Sequence, residues 1–136
     1  MSRVLVPVTD PERAARAVEA LVREADRARD EVLLVGIVEP MTPGRIPLYL
    51  SPSRAAAMAT EAAERWLAPL TATLATAGIR HRAWVHLGRP HAVIDQIARD
   101  QRVDRVVFPA SRSEFWKRWS GDRLARERRL QVTFVA

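Results

Sequence analysis

Five short apolar segments recur along the chain, separated by stretches in which apolar residues follow a helical spacing. Segments 3–8 and 32–38 are almost continuously apolar and rich in β-branched residues, which is typical of strands buried on both faces. Segment 82–87 alternates apolar with polar residues, which predicts a strand with one wetter face near a sheet edge. Segments 103–108 and 132–135 predict a fourth and a fifth strand.

Helix signals fill the intervals between these strands. Asp10 precedes Pro11 and Ser51 precedes Pro52, so a capping side chain twice stands before a proline at the first helical position. Five strands alternating with four helical connections indicate an α/β fold. We expect one domain over residues 1–136, a three-layer α/β/α arrangement with a five-stranded parallel sheet and right-handed crossovers. The predicted helices cover about residues 11–29, 52–77, 90–98 and 120–125.

Composition excludes several kinds of site. The chain has no cysteine, so it forms neither disulfides nor cysteine metal sites. No apolar run approaches the ~20 residues of a membrane helix, and the first residues lead into a strand rather than a signal peptide. We therefore expect a cytoplasmic protein without membrane contact. The net charge of +6 comes almost wholly from arginine, and we interpret it as a solvated surface.

Segment 111–129 is the most unusual part of the chain. It holds seven cationic and three acidic side chains, with Phe115, Trp116 and Trp119 interleaved among them. Aromatic rings among arginines can stack nucleic-acid bases while the cations hold phosphates. The alternative, which we favour, is that the aromatic residues close a cleft or cover a dimer surface, because tryptophan is enriched at protein interfaces. We therefore do not expect a nucleic-acid partner.

Catalytic and metal-binding patterns are absent from the sequence. His81, His86 and His91 stand five residues apart, a spacing that sets no two imidazoles side by side on a helix or strand. There is no Gly-x-Ser-x-Gly elbow and no Walker loop. Asp10 stands at a strand end, where a general base could lie, but an N-cap role is favoured. We expect no catalytic residue, no metal and no enzymatic activity.

The order and spacing of several motifs resemble those of the universal stress protein family over essentially the whole chain. The residues that carry the resemblance are Val4–Val8, Val35–Pro40, the turn Gly88-Arg89-Pro90, Val103–Phe108 and Val132–Val135. The alternative placement is another flavodoxin-like or nucleotide-binding α/β domain of similar length.

The resemblance implies a sheet order of 3-2-1-4-5, in a flavodoxin-like, adenine-nucleotide alpha-hydrolase-like fold. That order has a topological switch point between strands one and four, and ligands of open α/β sheets bind at the carboxyl ends of strands beside such a point. The candidate nucleotide or anion site therefore consists of Pro7, Thr9, Asp10, Val38, Ser111, Arg112, Ser113 and Ser120.

The phosphate loop departs from the pattern of the family's ATP binders. In those members, strand four is followed by Gly-x-x-Gly, nine residues and Gly-Ser or Gly-Thr, because backbone amides must approach the phosphates closely. Here the corresponding stretches are Ala110-Ser111-Arg112-Ser113 and Arg123-Leu124, and the family's aspartate after strand one falls at Thr9. We expect weak or no ATP binding and no resident cofactor, with ATP or AMP as the alternative. An anion site at Ser111–Ser113 and Ser120 remains compatible with these changes.

Three functions follow as hypotheses. The favoured one is a homodimeric regulatory or stress-response module, and the others are an adenine-nucleotide sensor with altered phosphate contacts and a nucleic-acid-binding module that uses segment 111–129. We expect the dimer to form through the terminal strand Val132–Val135, which has neither charge nor proline and would lie at one edge of the sheet. The opposite edge carries Arg82 and His86, so it is better protected against pairing.

Overall fold

The central feature of the fold is a parallel five-stranded sheet. The computed structural model describes residues 2–24, 30–40, 43–110 and 130–136. In chain order the elements are β1 (Ser2–Val8), α1 (Pro11–Glu24), β2 (Asp30–Val38), a 3₁₀ turn (Pro43–Arg45), α2 (Pro52–Thr76), β3 (Arg80–Leu87), α3 (Pro90–Asp100), β4 (Arg105–Phe108) and β5 (Gln131–Phe134). The strands lie in the order β3-β2-β1-β4-β5, and all four pairings are parallel.

All five predicted strands and the predicted sheet order are confirmed. Strand β4 begins at Arg105 rather than Val103, because the Val103 amide still bonds the Ala98 carbonyl at the end of α3. Gly78 follows α2 with φ of 72°, as expected of a residue past a helix end. The last residues of the predicted first helix, 25–29, and the predicted fourth helix, 120–125, lie outside the described residues.

Helices cover both faces of the sheet, which gives the predicted three layers. Residues Val4, Val6 and Val8 of β1 point to one face and pack with α1 and α2. Leu5 points to the other face and packs with α3. Full burial of each such side chain contributes about 1.5–3 kcal/mol, so these two clusters supply most of the stabilisation of the described core. None of the helices in the described stretches is long and apolar enough to cross a membrane.

A polar cluster ties the sheet together at the amino ends of its strands. The Arg3 amide donates to Asp104 Oδ2 at 2.8 Å, and the Arg3 guanidinium donates to the Gln101 carbonyl at 2.6 Å. Glu31 lies between Arg3 and Arg82, with its Oε1 3.4 Å from a nitrogen of each. These side chains are partly exposed, so the ion pairs fix relative positions more than they add stability.

Asp10 forms the N-cap of α1, as its place before Pro11 predicts. Its Oδ1 accepts hydrogen bonds from the amides of Glu12, at 3.0 Å, and Arg13, at 3.4 Å. The Asp10 carbonyl accepts the first intrahelical bond, from Ala14, at 3.0 Å. The Asp10 carboxylate therefore satisfies amides that the helix itself leaves without partners.

Gly88 makes the turn that leads from β3 into α3. Its φ is +151°, and a β-carbon at this position would lie 2.8 Å from Val93 Cγ2. Its amide donates to the Val38 carbonyl at 3.0 Å, which holds the turn against the end of β2. Gly44 is different, because a β-carbon there would meet no atom within 4 Å.

Gly88→Ala should lower the free energy of unfolding by about 2 kcal/mol, because the new methyl group overlaps Val93 and the backbone angle disfavours a side chain. Urea denaturation measures the change, and Gly44→Ala is the matched control, for which we expect a change within about 0.5 kcal/mol. Equal stability of the two variants would contradict this account of the turn.

Asp10→Ala should lower the free energy of unfolding by about 1 kcal/mol, since two amides of α1 lose their acceptor. Asp10→Asn should retain most of the stability, because asparagine caps about as well as aspartate. Thermal unfolding followed by circular dichroism compares the three proteins. A wild-type melting temperature for Asp10→Ala would show that the carboxylate has no capping role.

Candidate functional site

The switch point lies between β1 and β4, where the sequence predicts it. The connection after β1 leads to β2 on one side, and the chain after β4 returns as β5 on the other. Thr9 and Asp10 follow β1 and are exposed, whereas Ala110, two residues past β4, is 8% exposed. These two strand ends are the place where open α/β sheets bind ligands.

Pro7 ends the hydrogen-bond ladder between β1 and β4 beside the switch point. The backbone of Arg3 faces β4, since its carbonyl accepts from the Asp104 amide at 2.9 Å, and by strand alternation Leu5 and Pro7 face β4 as well. Proline has no N–H and cannot donate the next bond. Pairing of β1 with β4 accordingly ends at Leu5 and Val106, while pairing with β2 continues along the whole strand. The two central strands therefore lose their pairing beside the switch point.

The predicted site residues are only partly brought together. Pro7, Thr9 and Asp10 follow one another at the end of β1, and Val38 ends the neighbouring β2. Asp10 already caps α1, and the Val38 carbonyl already accepts from Gly88, so both polar groups have partners within the fold. The other predicted residues, Ser111, Arg112, Ser113 and Ser120, lie outside the described residues.

A small apolar pocket lies beside this site, at the carboxyl ends of β2 and β3. We call it the β2–β3 pocket; its volume is about 120 Å³. Of its lining residues, only Val38 belongs to the candidate site predicted from the sequence, because the pocket forms where a loop, a helix and an edge strand meet in the folded chain. The lining includes Val38, Glu39, Ile46, Ala55, Ala59 and Leu87.

The pocket is suited to apolar groups rather than to acid–base chemistry. A cavity of about 150 Å³ lined by aliphatic side chains can hold a benzene ring, so the β2–β3 pocket accepts a group somewhat smaller than that. Glu39 supplies the one carboxylate of its lining. Across the four described stretches, no three histidine, aspartate or glutamate side chains lie close enough together to hold a metal ion.

Comparison with solved structures places this fold among known ones. A universal stress protein from Burkholderia pseudomallei has a TM-score of 0.75 and 19% identity, over 98% of this chain and 95% of that chain. An Arabidopsis thaliana universal stress protein with AMP bound has a TM-score of 0.67 and 18% identity, over 100% of this chain and 93% of that chain. The universal stress protein from Archaeoglobus fulgidus in complex with dAMP has a TM-score of 0.64 and 15% identity, over 100% of this chain and 98% of that chain.

At these identities the similarity is one of fold. No curated protein matches the chain in sequence. The sequence itself supplies the family, because the model of the universal stress protein family matches residues 1–124. With that match over most of its length, and with the sheet order and switch point described above, the chain belongs to the universal stress protein family.

Proposed function

We propose that this protein is a non-catalytic regulatory module of the stress response, homodimeric, with a degenerate phosphate loop and weak or no affinity for ATP. The observation that carries the proposal is the environment of the switch point. Ala110 is almost fully buried where ATP-binding relatives have a glycine, and its β-carbon occupies space beside the strand ends. Asp10 is committed to capping α1.

The triphosphate is the part of ATP that this chain is least suited to hold. A phosphate group approaches backbone amides closely only where no β-carbon intervenes, and positive φ angles are disfavoured for side chains other than glycine. The stretch Ala110-Ser111-Arg112-Ser113 contains no glycine. Arg112 supplies one positive charge, but a single guanidinium does not replace several backbone amides that converge on a phosphate.

An adenine-nucleotide sensor is the second candidate, and a ligand with a single phosphate would suit it best. Two proteins of the same fold hold AMP and dAMP, each with one phosphate. A monophosphate needs fewer close contacts with backbone amides than a triphosphate does, so the missing glycines should weaken its binding less. Beyond Leu5 and Val106 the backbones of β1 and β4 no longer pair with each other, and backbone groups of this kind can hydrogen-bond the polar edge of a base.

ATP should bind with a dissociation constant of roughly 1 mM or weaker, equivalent to about 4 kcal/mol or less of binding free energy. Isothermal titration calorimetry of ATP, AMP and inorganic phosphate under the same conditions measures this. The double variant Ala110→Gly, Ser113→Gly should bind ATP more tightly than the wild type, because it returns two glycines to the loop. Ala110→Ser, Ser113→Ala is the matched control and should not.

A one-to-one ATP complex of micromolar affinity in the wild-type protein would refute the degenerate loop. A stoichiometric adenine monophosphate released from freshly purified, denatured protein and identified by mass spectrometry would instead establish the sensor. Binding to polynucleotide with a steep salt dependence would establish the nucleic-acid hypothesis for segment 111–129.

The dimer is proposed to form through the edge of β5 that no described strand covers. The amides of Gln131 and Val135 donate to carbonyls beside β4, so by strand alternation the backbone groups of Val132 and Phe134 face outward. This edge carries no charged side chain. An uncharged, unpaired edge is a template for pairing with a second strand, and two copies can satisfy it about a two-fold axis.

The side chains of β5 are engaged within the chain, which decides how the dimer must be tested. Thr133 Oγ1 accepts from Arg105 Nε at 3.0 Å, and the Phe134 ring stacks on Phe108 with centroids 5.9 Å apart. A charge in the middle of this edge, such as Thr133→Lys, would disturb the Arg105 contact as well as any partner. The outward amide of Val132 is the better target.

Val132→Pro should shift the protein to monomer, because it removes an outward N–H and leaves the bonds to β4 in place. Val132→Thr loses about as much side-chain packing as Val132→Pro but keeps the amide, so this variant should stay dimeric. Sedimentation velocity at tens of micromolar measures the mass. A monomeric wild type would refute the dimer, and a dimer that survives Val132→Pro would move the interface elsewhere, first to Trp116 and Trp119.

A further inference from the structure

The second free edge of the sheet, along β3, differs in chemistry from β5. The Gly88 amide, just past β3, donates to the Val38 carbonyl of β2. Since backbone groups alternate along a strand, the N–H and C=O groups of His81, Ala83, Val85 and Leu87 face away from β2. No described strand pairs beyond β3, and none of its eight residues is buried. Four outward amides and four carbonyls therefore form an open pairing edge.

The amino-terminal half of this edge is basic. Arg80 is exposed and makes no ion pair with any described residue. Arg82 lies two residues along; its guanidinium donates to Gln101 Oε1 at 2.8 Å and lies 3.4 Å from Glu31 and 5.9 Å from the centre of the Trp84 ring. Arg80 and Arg82 lie on the same face of β3, about 6.6 Å apart along the strand. Alternate side chains of a strand paired beside β3 have the same spacing, so two of them can lie opposite the two arginines.

The carboxyl-terminal half of the edge is apolar and ends at the β2–β3 pocket. Leu87 lines this pocket, is 46% exposed, and has its backbone groups directed outward. A residue paired opposite Leu87 would place its side chain about 5 Å away on the same face, at the mouth of the pocket. Glu39, in the pocket lining, disfavours an acidic side chain at that end.

We infer that the β3 edge binds an extended acidic segment of a partner protein as a sixth strand, with carboxylates opposite Arg80 and Arg82 and an apolar side chain in the β2–β3 pocket. Main-chain hydrogen bonds supply affinity in this mode of recognition, and alternate side chains supply specificity. The inference goes beyond the proposed regulatory function and needs neither a nucleotide nor the dimer.

Charge selects this occupant over a second copy of the chain. Two β3 edges paired about a two-fold axis run antiparallel, so the basic end of each meets the apolar end of the other and finds no opposite charge. An acidic strand meets the same side chains with complementary charge. A single-stranded nucleic acid would need the Trp84 face for stacking, but the Arg82 guanidinium already lies over that ring, and Trp84 packs partly on the α3 side of the core.

The test uses the full chain and fluorescein-labelled peptides as long as β3. The probe has glutamates at one end, a leucine near the other, and threonine and valine between, and is made in both sequence orders. Fluorescence anisotropy should show saturable binding of at least one order. The matched peptide with lysine for glutamate should bind at least about tenfold more weakly, and so should the peptide with alanine for leucine.

Variants of the protein separate the contributions of charge, main-chain hydrogen bonds and the β2–β3 pocket to peptide binding. Arg80→Glu should weaken binding about tenfold, whereas Arg16→Glu, the same charge change on an exposed position of α1, should not. Ala83→Pro removes one outward amide and should abolish binding, while Ala83→Thr keeps that amide and should bind. Ala59→Leu narrows the pocket and should remove the preference for leucine over alanine in the peptide.

Amide hydrogen exchange by NMR identifies the binding mode directly. Saturating peptide should slow exchange at His81, Ala83, Val85 and Leu87 and leave the β2-facing amides of β3 unchanged. Binding that survives Ala83→Pro would overturn strand addition. So would a preference for single-stranded oligonucleotide over the acidic peptide, or self-association of the wild type that Ala83→Pro abolishes.

Discussion

The three inner strands β2, β1 and β4 are covered on both faces, and the packing of the described helices depends on this burial. A parallel sheet cannot leave such strands open to water, because their side chains are apolar on both sides. Helices α1 and α2 close one face and α3 closes the other. Because all five strands are parallel, their carboxyl ends, where ligands of such sheets bind, lie together at one end of the sheet.

At the carboxyl ends of the strands, the groups that stabilise the fold are also the groups that a ligand would contact. Asp10 caps α1, the Val38 carbonyl holds the turn at Gly88, and Pro7 ends the pairing of β1 with β4. Membership of the universal stress protein family therefore does not by itself provide a phosphate site. The fold supplies the switch point, and the local residues decide what can be held there.

The two outer edges of the sheet are chemically opposite. Strand β5 is short and uncharged, and its side chains are engaged with Arg105 and Phe108. Strand β3 is twice as long, exposed, basic at one end and apolar at the other. An uncharged edge suits pairing between identical chains, whereas a basic edge favours a strand of opposite charge. The proposed dimer and the proposed acidic partner therefore use different edges of the same sheet.

The sequence by itself determined the five strands, the helices α1 to α3 and the Asp10 cap, because each depends on local spacing and nearby side chains. Order β3-β2-β1-β4-β5 was also predictable, through the family resemblance of segments such as Val4–Val8 and Val132–Val135. Only the tertiary structure decided where Pro7 breaks a ladder, since that depends on which neighbour its nitrogen faces. The β2–β3 pocket likewise required the folded chain, because Ile46, Ala59 and Leu87 come from three distant segments. The direction of backbone groups at the two free edges follows from strand register, a long-range property that no local pattern encodes.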